Sequence, residues 1–233
     1  MTRTLFWDID GTLLSTARAG VFALEEAARE VCGSDADLQA LRTAGLTDSE
    51  VAAGAIESLG LTAEPQLVSA FLRAYERHLP DRLHWRRGGV LGGVRAILDD
   101  LRDDPGITSL LLTGNTPAGA RAKLEHYGLW DDFDGGAFCA DGDDRETIAR
   151  RALTVAAEHA GEPVAGEDIV VIGDTPHDVR CGRAIGAATL AVASGSFTVD
   201  ELRAAGATAA IEQLPDPAGF RELLETVAAA PRG

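Results

Sequence analysis

Phe6-Trp7-Asp8-Ile9-Asp10-Gly11-Thr12-Leu13-Leu14 is the stretch whose reading decides the fold. It follows Thr4 and Leu5, so the run Thr4-Leu5-Phe6-Trp7 reads as a buried strand. The strand ends in two carboxylates one residue apart. Side chains on a strand alternate with period two, so Asp8 and Asp10 point to the same side while the backbone stays extended. They sit at the carboxyl end, where open α/β sheets place their ligands. Two crowded carboxylates repel each other unless a cation or a shared proton intervenes. Gly11 lets the chain break away from the strand. One reading is a nucleophilic or metal-binding Asp8 beside an acid/base Asp10. The other is an acidic strand-to-loop turn.

Downstream of Leu14 the pattern turns helical. Residues 16–80 hold no good strand. Ala19, Phe22, Ala23, Ala27 and Val31 recur at helical spacing, with Cys32-Gly33 as a stop. Further helices are predicted over 35–44, over 48–59 with Thr47 as N-cap and Gly60 as stop, and over 64–78, ending at Pro80. From residue 90 the chain alternates. Helices are predicted over 90–101, 117–127, 146–159, 176–185, 199–204 and 217–229. Strands are predicted over 107–112, 135–140, 168–172, 188–193 and 208–211. Such β-α alternation implies an α/β fold, a doubly wound parallel sheet with helices on both faces. The expected division is an α/β core over 1–15 and 88–233 and an inserted all-helical module over 16–87, with 82–89 as a hinge.

A chain of 233 residues has room for this arrangement. Its net charge of −16 argues against nucleic acid and against an anionic membrane surface as partners. If the substrate is itself a phosphate, the site must overcome that field locally, most simply with a divalent cation. Cys32, Cys139 and Cys181 are far apart and lack CxxC spacing, which disfavours a disulfide framework or a zinc site. The immediate entry into a strand and the absence of a long apolar run predict a cytoplasmic protein.

Three predicted strands end in polar groups. Thr113-Gly114-Asn115, just before a helix, suggests anion binding: a hydroxyl, a close backbone approach and exposed N–H groups. The competing reading is a capping turn, with Thr116 or Asn115 capping the helix begun by Pro117. Gly173-Asp174 follows the most apolar strand, so Asp174 would offer a hard cation bound at Asp8 a second carboxylate, and Mg²⁺ prefers oxygen ligands. With Thr175 as N-cap, Asp178 falls at the third helical position, close to a capping box, and it can also orient a cation. His177 reads as a surface helix residue. A phosphate site needs a fixed positive charge. Lys123, the sole lysine, lies well inside a helix and reads as solvated. Arg145, at a helix start beside Asp143 and Asp144, is the favoured cation, against the alternative of a surface ion pair.

Asp8-x-Asp10-Gly11-Thr12, Thr113-Gly114-Asn115 and Gly173-Asp174-x-x-x-Asp178 resemble the first, second and fourth signature motifs of the haloacid dehalogenase superfamily. The helical insertion resembles the cap of its phosphoglycolate phosphatase-like branch. The third-motif lysine is missing, and Arg145 stands in its place. The resemblance implies a Mg²⁺-dependent phosphatase acting on a small-molecule phosphate ester. Asp8 would be the nucleophile and Asp10 the acid/base. Asp8, the Asp10 carbonyl and Asp174 would hold the metal, and Thr113, Gly114 and Asn115 the phosphate. Asp178 would orient Arg145 or a metal-bound water. Arg18, Arg42, Thr47 and Asp48 would set specificity from the cap. A sugar phosphomutase, a dehalogenase and a non-catalytic binding module are the alternatives.

Overall fold

Strand β1 (Arg3–Trp7) lies between β4 (Ile107–Leu112) and β6 (Ile169–Gly173), parallel to both, in a computed structural model that describes residues 2–140 and 142–230. Among these residues the main sheet has six strands in the order β5-β4-β1-β6-β7-β8, all parallel, with β5 at Gly136–Ala137, β7 at Ala188–Val192 and β8 at Ala209–Ile211. Trp7 pairs with both Leu111 and Ile172. That register brings Asp8, Thr113 and Asp174 to one edge within a residue of each other.

The period-two alternation of β1 supplies both faces of the core. Leu5 and Trp7 point to one side, where they pack against helices α4 (Val94–Leu101) and α9 (Pro217–Ala229). There the Trp7 and Phe220 rings stack with centroids 5.5 Å apart. Phe6 points to the other side, against α6 (Arg145–Ala160) and α7 (Pro176–Ala184). Helix α5 (Pro117–Tyr127) follows β4, and the short α8 (Val199–Ala204) packs between β7 and β8. The sheet buried on both faces is the α/β architecture that the alternation implies.

Helices α1 (Ala19–Ala27), α2 (Asp48–Ser58) and α3 (Pro65–Leu83) form a layer with its own apolar cluster, including Ala23, Leu24, Ile56, Phe71 and Leu79. The chain enters and leaves this layer through a two-stranded antiparallel ribbon, β2 (Leu14–Ser15) on β3 (Gly89–Val90). Sequence periodicity misses this ribbon because two residues carry no period.

Three further differences have physical causes. Residues 35–44 are irregular rather than helical. Only Leu38 is buried there, too little apolar surface to hold a helix against the core, and the backbone is held by side chains: Leu38 N–H donates to Glu25 Oε1 and Gln39 N–H to Asp37 Oδ1. Helix α1 instead extends through a π turn, Ala28–Cys32. Helix α3 runs through Pro80 to Leu83. Pro80 is exposed, so the lost backbone hydrogen bond faces water, while buried Leu79 and Leu83 keep the last turn in place. No helix among the described residues is long and apolar enough to cross a membrane.

Candidate active site

The chain leaves β1 through a tight turn in which the N–H groups of Thr12, Leu13 and Leu14 all donate to Ile9 O. Gly11 has φ +86, and a Cβ there would lie 2.4 Å from Asp174 Oδ2. The turn therefore needs glycine twice over, for its left-handed backbone and for the approach of a carboxylate. Thr12 Oγ1 donates to Asp174 Oδ1 at 3.2 Å.

Asp8, Asp174 and Asp178 are all buried, and each presents a carboxylate oxygen within 4.8 Å of the others. Burial first, then the charge of Asp178, pushes the carboxyls of both Asp8 and Asp174 upward from the usual carboxylate range. Arg145 opposes this at Asp8. An all-oxygen, acidic, self-repelling set of this kind fits a hard divalent cation such as Mg²⁺, which would remove the repulsion.

Asp178 does several jobs. As the third residue of α7 it completes a capping box: Thr175 N–H and Thr175 Oγ1 both donate to its Oδ2, at 3.0 and 2.7 Å. Its other oxygen accepts from the Arg145 guanidinium at 3.4 Å. Arg145 begins α6, capped by Asp144, and its side chain is only 11% exposed. The acids around it are taken by others, Asp143 by Arg151 and Glu146 by Arg150. Arg145 thus turns inward, where its Nε donates to Gly45 O of the helical layer at 3.1 Å.

Asp10 points elsewhere. Its side chain is 42% exposed, and Oδ2 accepts from Asn115 Nδ2 at 2.9 Å and from Lys123 Nζ at 2.5 Å. Lys123 is therefore not the solvated residue its place in the chain suggests; it is buried. Gly119, Ala120, Lys123 and Leu124 form the inward face of α5. The i, i+4 spacing of Lys123 from Gly119, beside Ala120 and Leu124, is the signal that could have placed it.

The turn after β4 also differs in detail from expectation. Asn115 is fully committed to neighbours: Nδ2 serves Asp10 and Thr113 Oγ1, and Oδ1 accepts from Lys123. It orients Asp10 and Thr113 rather than offering a free amide to a ligand. Thr113 Oγ1 accepts two bonds from Asn115 and keeps its own proton to give. Thr116 is the cap of α5, accepting from Gly119 N–H at 3.2 Å. Gly114 meets protein: a Cβ there would lie 2.8 Å from Leu46 O and 3.1 Å from Arg145 Cζ.

A cavity of about 700 Å³ opens over this edge, bounded on the other side by the helical layer. Asp8, Asp10, Asn115, Lys123, Arg145 and Asp174 line its floor. Of the four residues expected from the layer, Arg18 and Arg42 line it and are exposed. Arg18 stands in left-handed backbone (φ 65), as does Ala17 before it (φ 47), and donates to Gln39 O. Thr47 is wholly buried in a capping box with Glu50 and does not face the cavity. Asp48 reaches the cavity wall with one carboxylate oxygen bonded to Thr116 N–H at 2.8 Å. His177 is half-buried rather than at the surface, against Gly45. Sequence reasoning missed Gly195, Ser196 and Phe197, which follow β7 and line the same cavity.

Comparison with known proteins agrees with this geometry. The model of the haloacid dehalogenase-like hydrolases matches residues 5–183. A curated relative, the probable phosphatase IndB of Dickeya dadantii (strain 3937), is 28% identical over 235 residues, covering 99% of this chain and 98% of that one. The crystal structure of a predicted phosphatase from Clostridium acetobutylicum superposes with a TM-score of 0.73 at 20% identity, over 97% of this chain and 99% of the other. That of a predicted phosphoglycolate phosphatase from Haemophilus somnus 129pt gives 0.70 at 14% identity, over 96% and 97%. At these identities the two structures speak for the fold.

Proposed function

Because the chain belongs to the haloacid dehalogenase-like hydrolase family, we propose that it is a Mg²⁺-dependent phosphatase that hydrolyses a small phosphate monoester, 2-phosphoglycolate being one candidate. The observation that carries the reading is convergence. Asp8 and Asp10, Arg145 and Asp174 come from three separate stretches of chain and line one cavity over the sheet edge, while Thr113, wholly buried, follows the neighbouring strand on the same edge.

Asp8 would attack phosphorus. Its carboxylate oxygen bonds to phosphorus as the bond to the leaving alcohol breaks, giving an aspartyl-phosphate. Asp10 would give its proton to the leaving oxygen and then take one from the water that hydrolyses the intermediate. Asn115 and Lys123 hold the Asp10 carboxylate for both steps. The Thr113 hydroxyl and the Gly114 N–H would hold phosphoryl oxygens, and Arg145, steadied by Asp178, would offset their charge. Mg²⁺, held by Asp8, the Asp10 carbonyl and Asp174, with Asp178 close by, would supply Lewis-acid charge neutralisation.

The layer of residues 16–87 would act as a cap over a core of 1–15 and 88–233, excluding bulk water from the site. Arg18 and Arg42 would meet the part of the ester distant from phosphorus.

The test is phosphate release from a panel of small esters, with Mg²⁺ and with a chelator, using Asp8→Asn as control. Metal-dependent release that the substitution abolishes supports the reading. Transfer between hydroxyls of a sugar phosphate without net release would make the protein a mutase. No reaction with any ester would overturn catalysis on phosphate.

A further inference from the structure

Asp48 is the first residue of α2, yet its carboxylate makes no capping hydrogen bond within its own helix. Thr47 and Glu50 already close that N-terminus with a reciprocal capping box. The Asp48 side chain instead reaches across to the start of α5, where Oδ2 accepts from Thr116 N–H at 2.8 Å. Its backbone N–H donates to Gly114 O at 2.7 Å. One residue of the helical layer thus grips the turn after β4 at two points, with Asn115 between them and Thr113 just before. The backbone of Leu46 and Thr47 presses on Gly114 from the same side, close enough to exclude a side chain there. The carboxylate also lies near two helix N-termini, whose partial positive charges both favour it.

We propose that Asp48 is a positioning residue: it clamps the turn of Thr113 to Thr116 so that the phosphate-holding groups and Asn115 take their working arrangement only while the helical layer is seated on the core. Lifting the layer breaks both bonds at once. The turn then loses its outer supports, and Asn115, which orients Asp10, loses its setting. The inference rests on the phosphatase reading for its kinetic consequence, and on geometry alone for the clamp. It assigns Asp48 a part in kcat for every ester rather than in the choice among esters.

The experiment compares the wild type with Asp48→Ala and Asp48→Asn, with Mg²⁺, on p-nitrophenyl phosphate and 2-phosphoglycolate. Amide hydrogen exchange at Thr116 is followed by NMR on the same proteins. Loss of a hydrogen bond to a charged acceptor changes an equilibrium by about tenfold or more. Asp48→Ala should therefore lower kcat by about tenfold on both esters, leave their ratio unchanged, and speed Thr116 exchange by a similar factor. Asp48→Asn, which keeps an acceptor oxygen, should restore both. A changed ester ratio with kcat preserved would overturn the proposal and make Asp48 a substrate-reading residue. Wild-type kcat and exchange in Asp48→Ala would overturn it too. If that variant does not fold, Asp48→Ser, suited to a helix start but too short to reach Thr116, replaces it. If the wild type itself releases phosphate from neither ester, the phosphatase reading fails with these esters. The exchange comparison then decides the clamp alone: fast in Asp48→Ala and slow in Asp48→Asn supports it, and equal rates overturn it.

Discussion

The ammonium of Lys123 lies 2.5 Å from Asp10 Oδ2 and 2.5 Å from Asn115 Oδ1, so a buried cation from the middle of α5 fixes both the proposed acid/base and the amide that orients it. Lys123→Met keeps the length and removes the charge. It should lower kcat by about tenfold to a thousandfold, because general acid–base catalysis depends on the placement of the proton-transfer group. KM should change little, since Lys123 is engaged with protein. Steady-state kinetics check this, and an altered KM with wild-type kcat would place Lys123 on the substrate instead.

The crowding of Asp8, Asp174 and Asp178 makes a prediction in which stability and activity move in opposite directions. Asp8→Asn removes one of three mutually repelling carboxylates. In chelator-treated protein it should raise Tm by a few degrees, as about 1 kcal/mol does for a chain of this size. It should at the same time abolish phosphate release. Adding Mg²⁺ should raise the wild-type Tm by mass action, and Asp174→Asn should blunt that rise. Calorimetric scans with and without the metal measure all three.

Arg145→Ala should lower kcat by about a hundredfold, the usual loss when one electrostatic stabiliser of a transition state is removed. It should also destabilise the protein, because Asp178 would remain buried beside two other carboxylates without its cation. Arg145→Lys should recover stability more fully than rate. The ammonium keeps the charge but lacks the fork that reaches Gly45 O and Asp178 together. Parallel rate and melting measurements separate the two effects.

Burial raises the Asp48 carboxyl to about 6, with Asp10 and Glu76 adding to the rise and Lys123 and the Thr116 N–H opposing it; Tyr75 is the other titratable neighbour in this group. The unfolded carboxyl loses its proton near pH 3.8, before the folded one does. Between these values the folded state binds more protons, so stability falls as pH rises from about 4 to about 6. The loss is about 1–3 kcal/mol at the upper end. Asp48→Asn should flatten that part of the curve and match or exceed the wild type at pH 7. Denaturant melts across pH 4–7 test the sign.

Much of this architecture can be read in the chain, and the exceptions share a cause. Strand ends announce themselves: Asp8, Thr113 and Asp174 each close an apolar run. Helix α2 is legible from Thr47 and α9 from Pro217, because caps and first-turn prolines act locally. The part of Lys123 is not local. It depends on which face of α5 meets Asp10, a partner 113 residues away. Thr47 and Asp48 start α2, an end that looks open in sequence and is closed by the turn after β4. Residues 35–44 carry a helical composition, but backbone N–H groups there are taken by carboxylates, that of Leu38 by Glu25 of α1 and that of Gln39 by nearby Asp37.

The ribbon of β2 on β3 has a consequence for how the chain assembles. β1 must find β4, and their first paired residues, Arg3 and Ile107, are about a hundred positions apart. Closing so long a loop is entropically costly and slow. Once Leu14 has met Val90, the helical segment hangs outside the loop, and only the short stretches flanking the ribbon remain to be closed. The two-residue strands thus turn a distant encounter into a nearby one. Substitutions that break the Leu14–Val90 pairing should slow refolding by nearly the full amount that they lower stability while leaving unfolding almost unchanged, a pattern that stopped-flow kinetics would register as a φ-value near 1.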